Sequence, residues 1–111
     1  MKSGLLLCPV EDLDSAVTFY RDTLKLPLKF RDGERYCAFD AGGYTLGLAA
    51  AGECVAECAA PVFRAEEIQA AVAAMLQAGA SLVQPPQRGP HEWRAVLHAP
   101  GGGLLVVTAP L

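Results

Sequence analysis

Aromatic residues make up only 7% of this 111-residue sequence, histidine occurs twice, and basic residues do not outnumber acidic ones. Nine Lys and Arg against twelve Asp and Glu give a formal net charge of -3. No basic stripe stands ready to displace counterions from a phosphate backbone, so nucleic acid is not an expected partner. The apolar run at residues 4–10 is too short to span a bilayer and lacks the h-region and cleavage site of a secretory signal. No membrane partner is expected, and the expected location is cytoplasmic. There is no Ser-His-Asp set, phosphate loop or dinucleotide fingerprint: Gly101, Gly102 and Gly103 fall between two strand-like runs, not ahead of a helix.

Cysteine is present but sparse. Cys8, Cys37, Cys54 and Cys58 come without a secretory signal, and the Cys54/Cys58 pair has no second pair to complete a structural zinc site. Free, mostly buried thiols are expected. What the chain does have is apolar mass, with 52% hydrophobic and 19% charged residues. That is the balance of a packed globule, and a chain of this length buries roughly two-thirds of the surface its unfolded form exposes. A single domain over residues 1–111 is expected.

Residues 5–10 read as a strand, with Pro9 marking an edge or an irregular end. Residues 11–24 read as a helix: Leu13, Ala16, Val17, Tyr20 and Leu24 recur at three- and four-residue spacing, and Asp12 and Asp14 sit where the helix dipole favours acids. Three short strands follow at residues 28–30, 35–39 and 44–49, separated by Asp32-Gly33 and Gly42-Gly43. The order then repeats. A strand at residues 61–65 leads to an alanine-rich helix at 66–78 closed by Gly79, and three more strands follow at 82–84, 93–97 and 104–108. The proline-rich stretch from Pro85 to Pro90 reads as a loop. Setting Leu13 on Ile68 also sets Ala16 on Ala71, Val17 on Val72 and Leu5 on Ala60. An internal duplication, with modules over residues 1–52 and 57–111, accounts for this register.

The stretch Val10-Glu11-Asp12-Leu13-Asp14-Ser15-Ala16-Val17-Thr18-Phe19-Tyr20 resembles the opening of the glyoxalase/bleomycin-resistance/dioxygenase superfamily, the vicinal oxygen chelate proteins. Residues 39–48, 63–79 and 99–105 are similar to later family segments, the last to its Asp-Pro-Asp-Gly-Asn turn. Lys25 departs from the pattern, standing where the family usually has Gly. The resemblance implies an α+β fold of two βαβββ modules, forming an open, cupped mixed sheet around a cavity. It also implies a divalent metal held by four His, Glu or Gln side chains, two from each module. The matching positions here are Leu5, Gly47, Ala60 and Val106, none of which has a lone pair to offer, so no metal and no other cofactor is expected.

Alternation along the strands sends Leu5, Leu7, Thr45, Gly47, Ala49, Val62, Arg64, Leu104, Val106 and Thr108 to the cavity face, and Phe39, Leu46, Leu48, Phe63, Leu105 and Val107 to the helices. The wall is apolar. The polar and aromatic candidates for gripping a ligand are His91, Trp93 and Arg94, with Tyr36 and Arg64: Trp93 would stack on a planar compound while Arg94 or His91 meets an anionic or carbonyl group. The expected function is non-catalytic binding of an aromatic or amphipathic small molecule, by a protein that forms a homodimer. The alternatives are a lyase, isomerase or dioxygenase of the same fold, using residual acid/base groups such as Glu92 or His91 or a metal site in a different register, and a non-catalytic dimerisation module.

Overall fold

The computed structural model describes residues 1–50 and 52–111, which divide into two compact units, Gly4–Ala59 and Ala60–Leu111, the latter together with Met1–Ser3. In the first unit the chain runs from β1 (Lys2–Pro9) into α1 (Leu13–Thr18) and then through β2 (Leu28–Asp32), β3 (Tyr36–Asp40) and β4 (Thr45–Ala49). The strands lie in the order β2-β3-β4-β1, with β1 parallel to β4 and the other pairs antiparallel. Pro9 is the last residue of β1, where a missing N–H costs the ladder least.

α1 forms because Leu13 and Val17, one turn apart, are both buried, and because Asp12 caps its start. The Asp12 carboxylate accepts from the Ser15 backbone N–H at 3.2 Å and from the Ser15 hydroxyl at 2.8 Å. These bonds hold the Asp12 carboxyl below the usual carboxylate range. Leu13 and Val17 pack with Cys37, Phe39, Leu46 and Leu48 into a core whose largest member, Phe39, is wholly buried. Fully burying a side chain of that size stabilises the fold by about 1.5–3 kcal/mol.

The helix predicted over residues 11–24 is α-helical only as far as Thr18. From Phe19–Thr23 the turn widens to a π-helix, with the Leu24 N–H donating to the Phe19 carbonyl at 3.2 Å. The wider turn rotates Leu24 out of the predicted buried face, leaving it 48% exposed, and Leu26 packs on the core instead. Lys25 closes this segment at φ 59°, in the left-handed region that glycine enters freely.

In the second unit β5 (Ala60–Arg64) precedes α2 (Ile68–Gln77), β6 (Ser81–Arg88), β7 (Glu92–His98) and β8 (Leu104–Pro110), and the strands lie in the order β5-β8-β7-β6. Again the first strand is parallel to the last and the remaining pairs are antiparallel. Ile68 and Val72 pack on Ala95, Leu97, Val107 and Ala109. α2 ends where Gly79 turns to φ 103°, its N–H donating to Leu76 and the Ala80 N–H to Met75. This is the Schellman closure that a left-handed glycine allows.

Residues 85–90, expected as a loop, are strand as far as Arg88. β6 is the outer strand of its sheet and its register slips twice against β7, so Pro85 and Pro86 sit where missing donors are tolerated. Each unit is thus a βαβββ module with a four-stranded mixed sheet, and the fold is mixed α+β. No helix among the described residues is long and apolar enough to cross a membrane.

Candidate functional site

Each sheet packs its helix against one face; on the opposite, helix-free face Leu7, Ala38 and Ala49 of the first module and Val62, Val96, Val106 and Thr108 of the second are nonetheless buried. On the open face of the first module, cross-strand pairing sets Phe30 beside Ala38, Ala38 beside Gly47 and Gly47 beside Leu7. A second row carries Tyr36 beside Ala49, and a third Thr45 beside Leu5. The helix side holds Leu46, Leu48, Cys37 and Phe39, so the faces fall as alternation predicts.

Gly47 is buried because Tyr36 lies over it. A Cβ added there would overlap the Tyr36 hydroxyl oxygen and come 3.0 Å from Leu5 Cδ1. Leu5, Tyr36 and Gly47, three of the candidates named from sequence, therefore meet at one point. In the second module Val62 pairs with Val106 and Val106 with Val96, while Arg64 pairs with Thr108 and Thr108 with Arg94. Arg64 and Arg94 thus flank the buried Thr108 from the two neighbouring strands. Neither arginine makes an ion pair among the described residues. Gly89 gives Arg94 its room: a Cβ there would lie 3.0 Å from the guanidinium Nε.

Trp93 and Arg94 do not act from the same side. Trp93 packs on the helix-side core with Ala95 and Leu97, and it lines a depression of about 340 Å³ with Glu66, Glu67 and Pro110. Adjacent strand residues point to opposite faces, so a ligand against Arg94 is out of reach of the Trp93 ring. His91 is exposed and precedes β7. Arg64 also borders a groove of about 590 Å³ with Lys2, Glu66 and Glu67.

All four thiols are free, but only Cys37 is buried; Cys8 and Cys54 are half-buried and Cys58 is exposed. That corrects the expectation of mostly buried cysteines: residues 54 and 58 lie in the segment between the two modules' strands, off either core. Burial pushes the Cys8 thiol up, with Cys54 nearby adding to the effect, and burial likewise raises Cys37. Thiols so raised stay protonated near neutral pH and make poor nucleophiles.

Lys29 and Phe30 were not among the candidates from sequence. Strict alternation sends them to opposite faces, but β2 bulges against β3 between Leu28 and Phe30. Lys29 Nζ consequently reaches Thr45 Oγ1 on the open face at 2.8 Å, while the Phe30 ring meets Tyr36 at 5.6 Å between centroids. No composition or spacing signal marks such a bulge.

Residues 4–107 match the sequence model of the Glyoxalase/Bleomycin resistance protein/Dioxygenase superfamily, and the chain belongs to that family. An uncharacterized protein of Mycolicibacterium smegmatis is 32% identical over 108 residues, covering 96% of this chain and 92% of its own length. Among solved structures, an NAD-dependent benzaldehyde dehydrogenase from Legionella pneumophila superposes with TM-score 0.81 at 19% identity, covering 96% of this chain and 98% of that one. A methylmalonyl-CoA epimerase from Mycobacterium tuberculosis gives TM-score 0.67 at 19% identity, covering 98% and 87%. At these identities the likeness speaks for the fold alone.

The residues at the positions matched to the family's metal ligands do not fit a metal ion. Leu5, Ala60 and Val106 are aliphatic, and at Gly47 the space a ligating side chain would need is taken by Tyr36 and Leu5. Among the described residues no group of three or more His, Cys, Asp or Glu is placed to hold one.

Proposed function

We propose that the protein binds an aromatic or amphipathic small molecule without transforming it, holding the compound against the helix-free face of a module's sheet. The observation that carries this reading is the replacement of a ligand ring by apolar contact surface: Leu5 and Tyr36 close over Gly47 in one module, and Ala60, Val62 and Val106 are buried in the other. Such a wall with few polar anchors suits retention of an apolar compound better than chemistry on it. Arg64 and Arg94, flanking Thr108, are the anchors of the second module.

A cytoplasmic homodimer belongs to the same proposal. All five residues of β2 are exposed, which leaves an outer strand edge able to pair with another copy. Light scattering that finds a monomer at micromolar concentration removes this part of the reading.

The test of binding is amide NMR of the purified full chain titrated with a panel of uncharged and charged planar compounds. Shifts are expected at Leu5, Gly47 and Val106, saturating with ligand. A panel that leaves those resonances unmoved overturns the reading.

A further inference from the structure

From the β2 bulge we infer that the open face of the first module is a subsite for an aromatic carboxylate, gripped by Lys29 and Thr45 at the carboxylate and by Phe30 at the ring. This rests on the binding reading above and names the ligand class for one part of it.

The bulge is what builds the subsite. With one extra residue between Leu28, which pairs with Phe39 on the helix side, and Phe30, which pairs with Ala38 on the open side, Lys29 is released to turn the same way as Phe30. Bulges recur beside binding sites because they redirect a side chain that regular pleating would send elsewhere. Here the redirected group is a cation. The Lys29 ammonium bonds to the neutral Thr45 hydroxyl and has no carboxylate partner among the described residues, whereas Arg21, Arg31 and Arg35 are all paired with Asp or Glu.

Asp40 pairs with Thr45 across the strands, but its carboxylate accepts from the Gly42 N–H, and charge complementarity at the Lys29 ammonium calls for an anion. Lys29 Nζ keeps two further N–H donors, and Thr45 Oγ1, which accepts from Lys29, keeps its own O–H to donate. A carboxylate has two oxygens to receive them. Next to this polar end lies the Phe30 ring, 55% exposed and set at 40° to Tyr36, whose hydroxyl end covers Gly47 farther along the same row. A flat ring laid there gains an aromatic contact worth about 0.5–1.5 kcal/mol beyond its buried area. A phosphate or an aliphatic acid would use the cation and leave the ring idle; a neutral arene would do the reverse.

The experiment compares 1-naphthoate with 1-naphthamide, alike in shape but not in charge, by calorimetry and amide NMR on the full chain and on Lys29→Met and Phe30→Ala. Both substitutions are at exposed positions. Naphthoate is expected to bind about tenfold more tightly than naphthamide, as befits a charge-assisted contact. Lys29→Met should erase that gap, and Phe30→Ala should weaken both probes while preserving it. Equal affinity for the two probes, a gap that survives Lys29→Met, or silence toward both while other planar compounds still bind, overturns the subsite and leaves the general binding reading standing. Silence toward every compound overturns both.

Discussion

The two modules build the same strand-helix-strand-strand-strand order and solve the ends of their helices in opposite ways. α1 is well started and badly finished: Asp12 caps it through Ser15, but it relaxes into a π-turn and ends on Lys25 at φ 59°. α2 is badly started and well finished: Glu67 at its N-cap makes no side-chain bond, whereas Gly79 closes its end with paired backbone hydrogen bonds. The helix residues of the two cores correspond, Leu13 and Val17 matching Ile68 and Val72. Packing fixes which helical face turns inward, and cap chemistry is settled locally at each end.

The sharpest way to break the comparison is through the cores. Phe39→Ala is expected to cost about 3–5 kcal/mol and Leu97→Ala about 2–5 kcal/mol in urea unfolding, since both side chains are wholly buried and leave cavities. Amide exchange should rise first in the strands of the substituted module. Next come the helix ends. Gly79→Ala, forced to keep φ 103°, should lose about 1–2 kcal/mol, while Lys25→Gly should gain about 0.5–1 kcal/mol once the extra flexibility of the unfolded glycine is set against the strain relieved. A thermal melt of each variant reads both signs, and a Lys25→Gly protein no more stable than the parent would show that the π-turn, not the left-handed residue, carries the strain.

The smallest effect separates the two helix starts by pH. The Asp12 carboxyl is lowered by its bonds to Ser15, so the folded state holds its proton less readily than the unfolded chain. Its contribution is complete above the ordinary carboxylate value and is lost as pH falls through the lowered one. Asp22, lowered by Arg21, acts in the same direction. Asp12→Asn keeps a capping side chain but removes the titration, so it should leave the melting temperature at pH 7 nearly unchanged and flatten its decline below about pH 4. Glu67→Gln, at a cap that makes no side-chain bond, should leave that decline as it is.

Much of this comparison is legible in the amino-acid sequence. The offset that lays Leu13 on Ile68 and Leu5 on Ala60 survives as matching helix faces and matching parallel strand pairs, because periodicities of 3.6 and 2 follow from backbone geometry alone. Lys25 could be marked as the odd residue after the first helix, and it does occupy the left-handed position. Pro85 and Pro86 predict a loop where β6 runs, because proline breaks an inner strand and not an outer one, and strand order is not written in the local sequence. The π-turn at Phe19–Thr23 escaped for a similar reason: whether Leu24 or Leu26 reaches the core depends on where the sheet lies.

The candidate site divides along the same line. Sequence by itself determined that Leu5, Gly47, Ala60 and Val106, which the resemblance sets at ligand positions, have no side-chain lone pair to donate, since that depends on residue identity alone. It also determined which strand residues share a face. Only the tertiary structure decided that Tyr36 covers Gly47, that Trp93 turns from Arg94 toward the helix-side core, and that a one-residue bulge swings Lys29 round to Thr45. Those outcomes depend on register between strands distant in the chain, and register is set by the packing of whole faces, not by any one residue's preference.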